Sequence, residues 1–174
     1  MAQPTRDEAV ATLEDGRHRL VGILARVPEG GYSARGIGGG EWSVKDAVGH
    51  LAFWHELALE AIDAWRREDR PRVLQYFVND ADVIHAANAE DVARKSGWDY
   101  EEVRQEFDRT HEAVVAAITK MSDEEWRRKA PYPTERHNRL SALLGGILGS
   151  DQSPFGHTSA HLPDLEAFVD ELNA

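Results

Sequence analysis

Apolar residues recur at the spacing of an α-helix in four separate stretches of this chain. In the first stretch the apolar positions run from Val10 to Val27. Thr5 and Glu8 stand three residues apart just before it, which is the spacing of a capping box at a helix N-terminus. The pattern predicts a first helix that ends before Pro28.

The second stretch carries the clearest start signal in the sequence. Ser43 stands in the N-cap position, Asp46 completes a capping box, and Trp42 can pack against Ala47 as a hydrophobic staple. This helix should end before Pro71. Its apolar stripe comprises Val44, Ala47, Val48, Leu51, Trp54, Ala58, Ile62 and Trp65.

The third stretch begins with the same kind of signal. Asp99 is placed as N-cap with Glu102 in the box, while Trp98 and Val103 are placed as the staple pair. A histidine, His111, occupies a position in the apolar stripe where a leucine would be ordinary. The other stripe residues of this third helix are Val103, Phe107, Val114, Ile118 and Met121.

The last stretch predicts a helix that opens at Ser153 and Pro154, which have the form of an N-cap and a first-turn proline. A second proline, Pro163, lies inside this helix. It removes a backbone hydrogen bond and is expected to kink the helix, at a cost of about 3 kcal/mol if nothing compensates. The predicted buried side consists of Leu165, Phe168, Val169 and Leu172.

The segments between these helices give weaker signals. The Gly-rich residues 28–42 are interpreted as a flexible crossover, and residues 73–95 as an irregular or broken helical excursion. Residues 122–126 fit a short capped turn, and residues 131–138 fit a loop. The apolar residues 139–150 are expected to be partly buried, but two adjacent glycines leave their helical state open.

These patterns together predict an all-α protein. No stretch alternates between apolar and polar residues over the length that a strand requires. The expected architecture is an up-and-down four-helix bundle with a long crossover connection. A chain of 174 residues is long enough for one domain with a sizeable core, so residues 1–174 are taken as a single domain.

Composition excludes several classes of function. The formal net charge of −11 disfavours binding to a nucleic-acid backbone, which depends on clustered Lys and Arg. No apolar run is long enough to cross a bilayer, and the N-terminal residues do not resemble a secretory signal, so a cytoplasmic location is expected. Because the chain has no cysteine, any bound metal must be held by nitrogen and oxygen ligands.

The stretch "FGHTSAH" places two histidines, His157 and His161, four residues apart. Residues at this spacing share one face of a helix, about 5–6 Å apart at Cβ, so two imidazoles can reach one ion. With eight histidines in the chain, such a spacing arises by chance in about one sequence in three, so the pair alone could be two surface histidines. His50 is the leading third candidate, because it flanks the apolar stripe of the second helix.

Two motifs resemble a known family. The stretch "EWSVKDAVGHLAFWHE" is similar to the second-helix signature of the DinB/YfiT-like superfamily of four-helix-bundle metalloproteins, and "GHTSAHLPDLEAF" is similar to their terminal helix. The resemblance implies that His50, His157 and His161 bind a divalent ion, commonly zinc, nickel or iron.

The same resemblance implies a range of activities. The superfamily includes transferases and isomerases that use mycothiol, bacillithiol or glutathione, as well as hydrolase-like members and ClbS/DfsB-type detoxifying proteins. The terminal histidine pair resembles the metal-dependent hydrolase pattern more than the mycothiol-dependent isomerases. The expected function is activation of water or a low-molecular-weight thiol to attack an electrophilic small molecule. The alternative is a non-catalytic protein that binds or sequesters such a molecule.

Three further polar residues have more than one interpretation. His111 is interpreted as a buried core histidine, with a proton shuttle beside the metal as the alternative. Asp46 is interpreted as a capping acid, with a catalytic role as the alternative. His55 is predicted to lie on the surface, with a place in the pocket wall as the alternative.

The tryptophans Trp42, Trp54 and Trp98 are predicted to serve the core rather than a substrate platform. A polar stretch in the irregular segment is predicted to face solvent, although it could instead cover the pocket. The expected ligand is a small molecule, and the sequence leaves open whether the chain forms a homodimer. The polar stretch consists of Asn79, Asp80, Asp82, His85 and Asn88.

Overall fold

The computed structural model describes residues 4–77, 81–134, 136–151 and 153–174, and this part of the chain is mostly helical, as predicted. Two short strands, β1 (Arg35–Ile37) and β2 (Trp42–Ser43), pair antiparallel. Within the described ranges, no helix is both long and apolar enough to span a membrane. The α-helices are α1 Arg6–Leu24, α2 Val44–Arg66, α3 Ala81–Arg94, α4 Tyr100–Lys120, α5 Asp123–Arg127, α6 Leu140–Ile147 and α7 His157–Leu172.

The capping boxes that the sequence predicts at the starts of α1, α2 and α4 all form. In α2 the Ser43 hydroxyl accepts a hydrogen bond from the Asp46 N–H at 3.2 Å, and the Asp46 carboxylate accepts one from the Ser43 N–H at 3.0 Å. Ser122 caps the short helix α5 in the predicted way. Each cap satisfies N–H groups that have no partner inside the helix, a contribution of about 1 kcal/mol.

The four longest helices, α1, α2, α4 and α7, pack through two buried hydrophobic clusters. One cluster joins the C-terminal halves of α2 and α4 to α5, α6 and the start of α1. The other joins the N-terminal halves of α2 and α4 to the end of α1 and to α7. The helical stripes read from the sequence therefore form the interior.

The contacts between α2 and α4 show that these two helices run in the same direction. Gly49 lies beside Val103, and one to two turns later the His55 imidazole approaches the Thr110 hydroxyl at 3.4 Å. This pair therefore departs from the alternating helix directions of a simple up-and-down order. The link between them, residues 67–99, contains α3 and is long enough to return along α2, which spans about 35 Å.

The other long helices are oriented by ion pairs and backbone contacts. Arg17 of α1 pairs with Asp108 of α4 at 3.0 Å, and Arg6 at the start of α1 reaches the end of α4, so α1 and α4 are antiparallel. Gly16 packs against the first turn of α7, while Arg26 after α1 pairs with Asp170 near the end of α7. The helices α1 and α7 therefore run parallel.

The segment 28–42, predicted to be a flexible crossover, contains a 3₁₀ turn and the β1–β2 hairpin. Gly38 and Gly39 turn the chain with φ angles of 63° and 69°, a left-handed region that favours glycine. Gly36 has φ of 140°, and a Cβ there would lie 2.9 Å from the Phe168 ring. These glycines let the hairpin lie closely against α7.

Two segments with weak sequence signals are helical, and the first of them is broken as expected, with a 3₁₀ turn at Arg72–Gln75 before α3. Residues 81–94 form the helix α3, although the neighbouring Val78, Asn79 and Asp80 lie outside the described residues. The helix α6 forms through the adjacent glycines, because Leu140, Leu143, Leu144 and Ile147 share a buried face.

The last helix begins at His157, so the predicted start at Ser153 and Pro154 is wrong. The Ser153 hydroxyl donates to the Pro154 carbonyl at 3.2 Å and caps no helix. Phe155, which follows Pro154, has a φ angle of 61° and is 1% exposed, and its ring stacks on Trp126. The chain turns at this buried anchor, and α7 then continues through Pro163 to Leu172.

Candidate metal centre

Two helices bring three histidines together. His50 lies in the second turn of α2 and is 5% exposed. His157 is the first residue of α7, and its N–H donates to the Leu148 carbonyl at 2.9 Å, which fixes the start of α7 against the end of α6. His161 follows one turn later on the same face.

The three imidazoles converge through their Nε2 atoms. The Nε2 atoms of His50 and His157 are 3.0 Å apart, and those of His157 and His161 are 3.1 Å apart. All three candidate ligand atoms lie within 4.8 Å of one another. Nitrogen ligands about 2.0–2.1 Å from a tetrahedral zinc ion would be about 3.3 Å apart, so the donor set fits a divalent ion.

The electrostatic environment keeps these imidazoles neutral. Burial, strengthened by the two neighbouring histidines, lowers the pKa of His50 well below its ordinary value. Burial and then His161 lower the pKa of His157 to about 3, and burial lowers the pKa of His161. A neutral imidazole is the form that binds a metal, so the unprotonated site is poised for an ion near neutral pH.

Two tryptophans and an amide surround the cluster. The Trp42 ring lies 4.9 Å from the His50 ring, and the Trp54 ring lies 5.7 Å from the His157 ring. The Trp54 indole N–H donates to the Asn88 Oδ1 atom at 3.3 Å, and Asn88 raises the pKa of His50 against the larger effect of burial. Trp54 is buried in the core, Trp42 is half-buried and packs against the core, and both rings also border the candidate site.

The three histidines lie in the wall of an open pocket of about 840 Å³. Its apolar wall comes from the hairpin, α2, α3 and α6, so that a bulky organic molecule can be accommodated beside the histidines. Polar side chains from α3 and from the loops complete it. The apolar wall residues are Ile37, Trp42, Trp54, Phe77, Ile84 and Ile147, and the polar ones include Glu41, His85, Asn88, His137, Ser150 and Asp151.

His137 is a pocket residue that the sequence analysis did not single out. Its Nδ1 atom lies 3.1 Å from the Ala142 carbonyl, and its ring packs on the Phe77 ring at 4.8 Å. A Cβ at Gly146 would lie 2.7 Å from the His137 ring, so the second glycine of α6 makes room for the imidazole. A loop residue belongs to no periodic pattern, so the sequence signal that could have indicated the place of His137 was the adjacent glycine pair in α6.

His111 and Asp46 lie away from the residues that line the pocket. His111 is 2% exposed, as its stripe position predicts, and its Nε2 atom lies 3.7 Å from the Glu14 carboxylate. Burial is the main cause that lowers its pKa. Asp46 occupies the capping box one turn before His50. The structure therefore brings neither side chain to the histidine cluster.

Two predictions about exposure are wrong. His55 is 3% exposed rather than on the surface, because the face of α2 opposite the pocket is covered by the parallel helix α4. In the polar stretch, His85 and Asn88 line the pocket instead of facing only solvent, while Asn79 and Asp80 lie outside the described residues.

Comparisons with known proteins show the family of this chain. A model of the DinB superfamily matches residues 12–147, so the chain belongs to the DinB superfamily. The whole chain is similar in fold to an uncharacterised protein from Escherichia coli UTI89, with a TM-score of 0.78 and 16% identity over 99% of this chain and 96% of that one. A comparison with curated proteins finds no match.

Proposed function

We propose that this protein is a metal-dependent enzyme of the DinB type that activates water or a low-molecular-weight thiol to attack an electrophilic small molecule. It would act as a hydrolase or as a thiol S-transferase, in the cytoplasm. The observation that carries the proposal is the convergence of His50, His157 and His161 in the wall of an open pocket, in a member of the DinB superfamily.

In this proposal the three Nε2 atoms hold a divalent ion such as zinc, nickel or iron. Three neutral ligands leave the ion its full charge, and a bound divalent ion supplies the Lewis acidity that makes water or a thiol nucleophilic near neutral pH. The apolar side chains of the pocket bind the organic part of the electrophile and limit access of bulk water. We propose that Asp46 acts by fixing the start of α2, and that His111 stays a buried core histidine.

The proposal extends to the architecture. Residues 1–174 would form one DinB-type domain in which α1, α2, α4 and α7 make a four-helix bundle, with residues 67–99 as a long crossover. The parallel pairs α1–α7 and α2–α4 support a bundle in which α2 and α7 are antiparallel neighbours. In this arrangement α2 and α7 overlap near their N-terminal ends, because the histidines of the second turn of α2 and the first turns of α7 meet.

Metal analysis tests the site directly. The purified protein should bind about one zinc ion per chain after reconstitution and dialysis, and His50→Ala, His157→Ala and His161→Ala should each lose it. His18→Ala, which removes an exposed histidine of α1, is the matched control and should retain the ion. Full metal retention in the His50→Ala variant would sink the assignment.

A second candidate function is favoured by the size and apolar character of the pocket: binding and sequestering of a toxic small molecule without turnover. Incubation of the zinc-loaded protein with a panel of epoxide, lactone and maleimide electrophiles, with and without added thiol, separates the two. An enzyme yields a hydrolysed or thiol-conjugated product over many turnovers. A sequestering protein yields a one-to-one complex from which the unchanged compound is recovered.

A further inference from the structure

A buried cluster of charged residues lies against α2 beside the candidate metal centre. Its centre is Lys95, which directly follows α3 and whose side chain is 4% exposed. The side chains of its two acidic partners, Asp91 of α3 and Glu106 of α4, are 3% and 7% exposed. None of these residues lines the pocket or enters the proposed chemistry.

The Lys95 ammonium joins three helices. It donates a hydrogen bond to the Gly49 carbonyl of α2 at 2.7 Å, and it forms ion pairs of 2.9 Å with Asp91 Oδ2 and with Glu106 Oε2. Arg94 strengthens the cluster from the outside, since its guanidinium donates to Asp91 Oδ1 at 2.6 Å. The ammonium therefore has one partner on each of α2, α3 and α4.

The backbone that Lys95 holds belongs to the residue directly before His50. A Cβ at position 49 would lie 3.3 Å from Lys95 Cδ and 3.4 Å from Val103 Cγ1, so the glycine provides the slot for the lysine stem. The carbonyl of Gly49 receives a charge-assisted hydrogen bond, which is shorter and stronger than a neutral one. A displacement of the ammonium would therefore displace the backbone of the α2 turn that carries the His50 imidazole.

The same cluster holds the helix that forms part of the pocket wall. The buried residues of α3 are Ala87 and Asp91, so apolar side chains contribute little to holding this helix in place. Ile84 and Asn88, which line the pocket, lie on α3 one to two turns before Asp91. The ion pairs at its C-terminal end therefore set where this wall stands relative to α2.

Buried ion pairs are a weak source of net stability, because the cost of removing the charges from water offsets most of their attraction. Their directional contacts instead select one arrangement of the helices. An apolar contact between α2, α3 and α4 would tolerate sliding of one helix along another. An ammonium held by one hydrogen bond and two ion pairs on three different helices resists such sliding.

We infer that Lys95 is a positioning residue that holds the His50 turn of α2 and the α3 wall of the pocket in register for metal binding. The inference rests on the proposed function, since it requires that His50, His157 and His161 bind an ion. It assigns to Lys95 no contact with the ion or with a substrate.

The test measures zinc affinity by competition with a chelating dye, and the visible absorption of the Co²⁺-substituted protein, for wild type and Lys95→Met. Groups hydrogen-bonded directly to metal ligands contribute at least a tenfold effect on affinity, so loss of this less direct contact should weaken zinc binding by up to about tenfold and alter the Co²⁺ spectrum. The matched control is Ile118→Ala in the C-terminal half of α4, studied at a temperature where both variants are fully folded. It should be less stable than wild type but keep the wild-type affinity and spectrum.

A second variant keeps the inference testable if Lys95→Met does not fold. Gly49→Ala improves the helical propensity of α2 but pushes a methyl group against the Lys95 stem. It should weaken zinc binding in the same direction, by a smaller factor.

The outcomes separate the inference from the proposed function. Wild-type zinc affinity in Lys95→Met or, if that variant does not fold, in Gly49→Ala would overturn the positioning role and leave the metal site standing. Equal loss of affinity in Ile118→Ala would also overturn it, since general destabilisation would then be the cause. Absence of zinc binding in the wild-type protein would overturn both.

Discussion

Mild acid should destabilise this protein through His55, whose imidazole is buried between the parallel helices α2 and α4. The residue is 3% exposed, and its ring lies 5.5 Å from the ring of His111. Burial, followed by the charges that His111 and His157 can carry, lowers the pKa of His55 to about 3. In the unfolded chain the same imidazole titrates near its ordinary pKa of about 6.5.

The sign of the effect follows from proton binding. Between pH 6.5 and 3 the unfolded state binds the proton and the folded state does not, so protonation favours unfolding. The stability that the neutral imidazole contributes is therefore present above pH 6.5 and is lost as the pH falls towards 3. At pH 5, one and a half units below the unfolded pKa, the loss is about 2 kcal/mol for this one group.

Urea unfolding of the chelator-treated protein at pH 7 and at pH 5 measures this loss. In the His55→Gln variant the fall in the free energy of unfolding between the two pH values should be about 2 kcal/mol smaller than in wild type. His18→Gln, at an exposed position of α1, serves as the control and should show the wild-type fall. If His55→Gln loses as much stability as wild type, the buried imidazole does not link folding to protons in the way argued.

Three further predictions concern stability and the pocket. Gly36→Ala should lower the free energy of unfolding in urea by about 1–3 kcal/mol, because its Cβ meets the Phe168 ring. Gly22→Ala, with open space around it in α1, should raise that free energy by up to about 1 kcal/mol, and equal effects of the two variants would contradict the geometry. Gly146→Ala should displace the His137 ring, which a change in the imidazole resonances of that residue by NMR would reveal, and unchanged resonances would refute the contact. Zinc at 100 times its Kd should raise the free energy of unfolding by about 2.7 kcal/mol, reversibly with chelator, and no such rise would contradict the site.

The starts of the helices could be predicted from sequence because a capping box is a local structure. Ser43 and Asp46, like the equivalent pairs before α1 and α4, need only three residues of chain to satisfy each other's backbone. The start of α7 was misplaced because a distant contact decides it. Phe155 is held in the core by Trp126, and the chain leaves this anchor in a conformation that a helix cannot adopt.

The candidate metal site, too, could be predicted from the sequence only in part. The spacing of His157 and His161 on one helix face was visible in the sequence, and His50 was selected from its place beside an apolar stripe and from the family resemblance. Their convergence depends on α2 and α7 lying side by side, which no local pattern specifies. The pocket also contains His137 and residues of α3, which belong to segments whose hydrophobic periodicity is weak or missing.

The sequence by itself determined the helical class of this protein and the starts of α1, α2, α4 and α5, because these depend on interactions within a few residues. It also supplied the three histidines with metal-ligand chemistry, through a local spacing and a family resemblance. Tertiary structure alone decided that α2 and α4 run parallel, that His55 is buried, and that Lys95 reaches the backbone beside His50. The physical reason is that long connections permit either helix direction, and only packing of the complete core selects one of them.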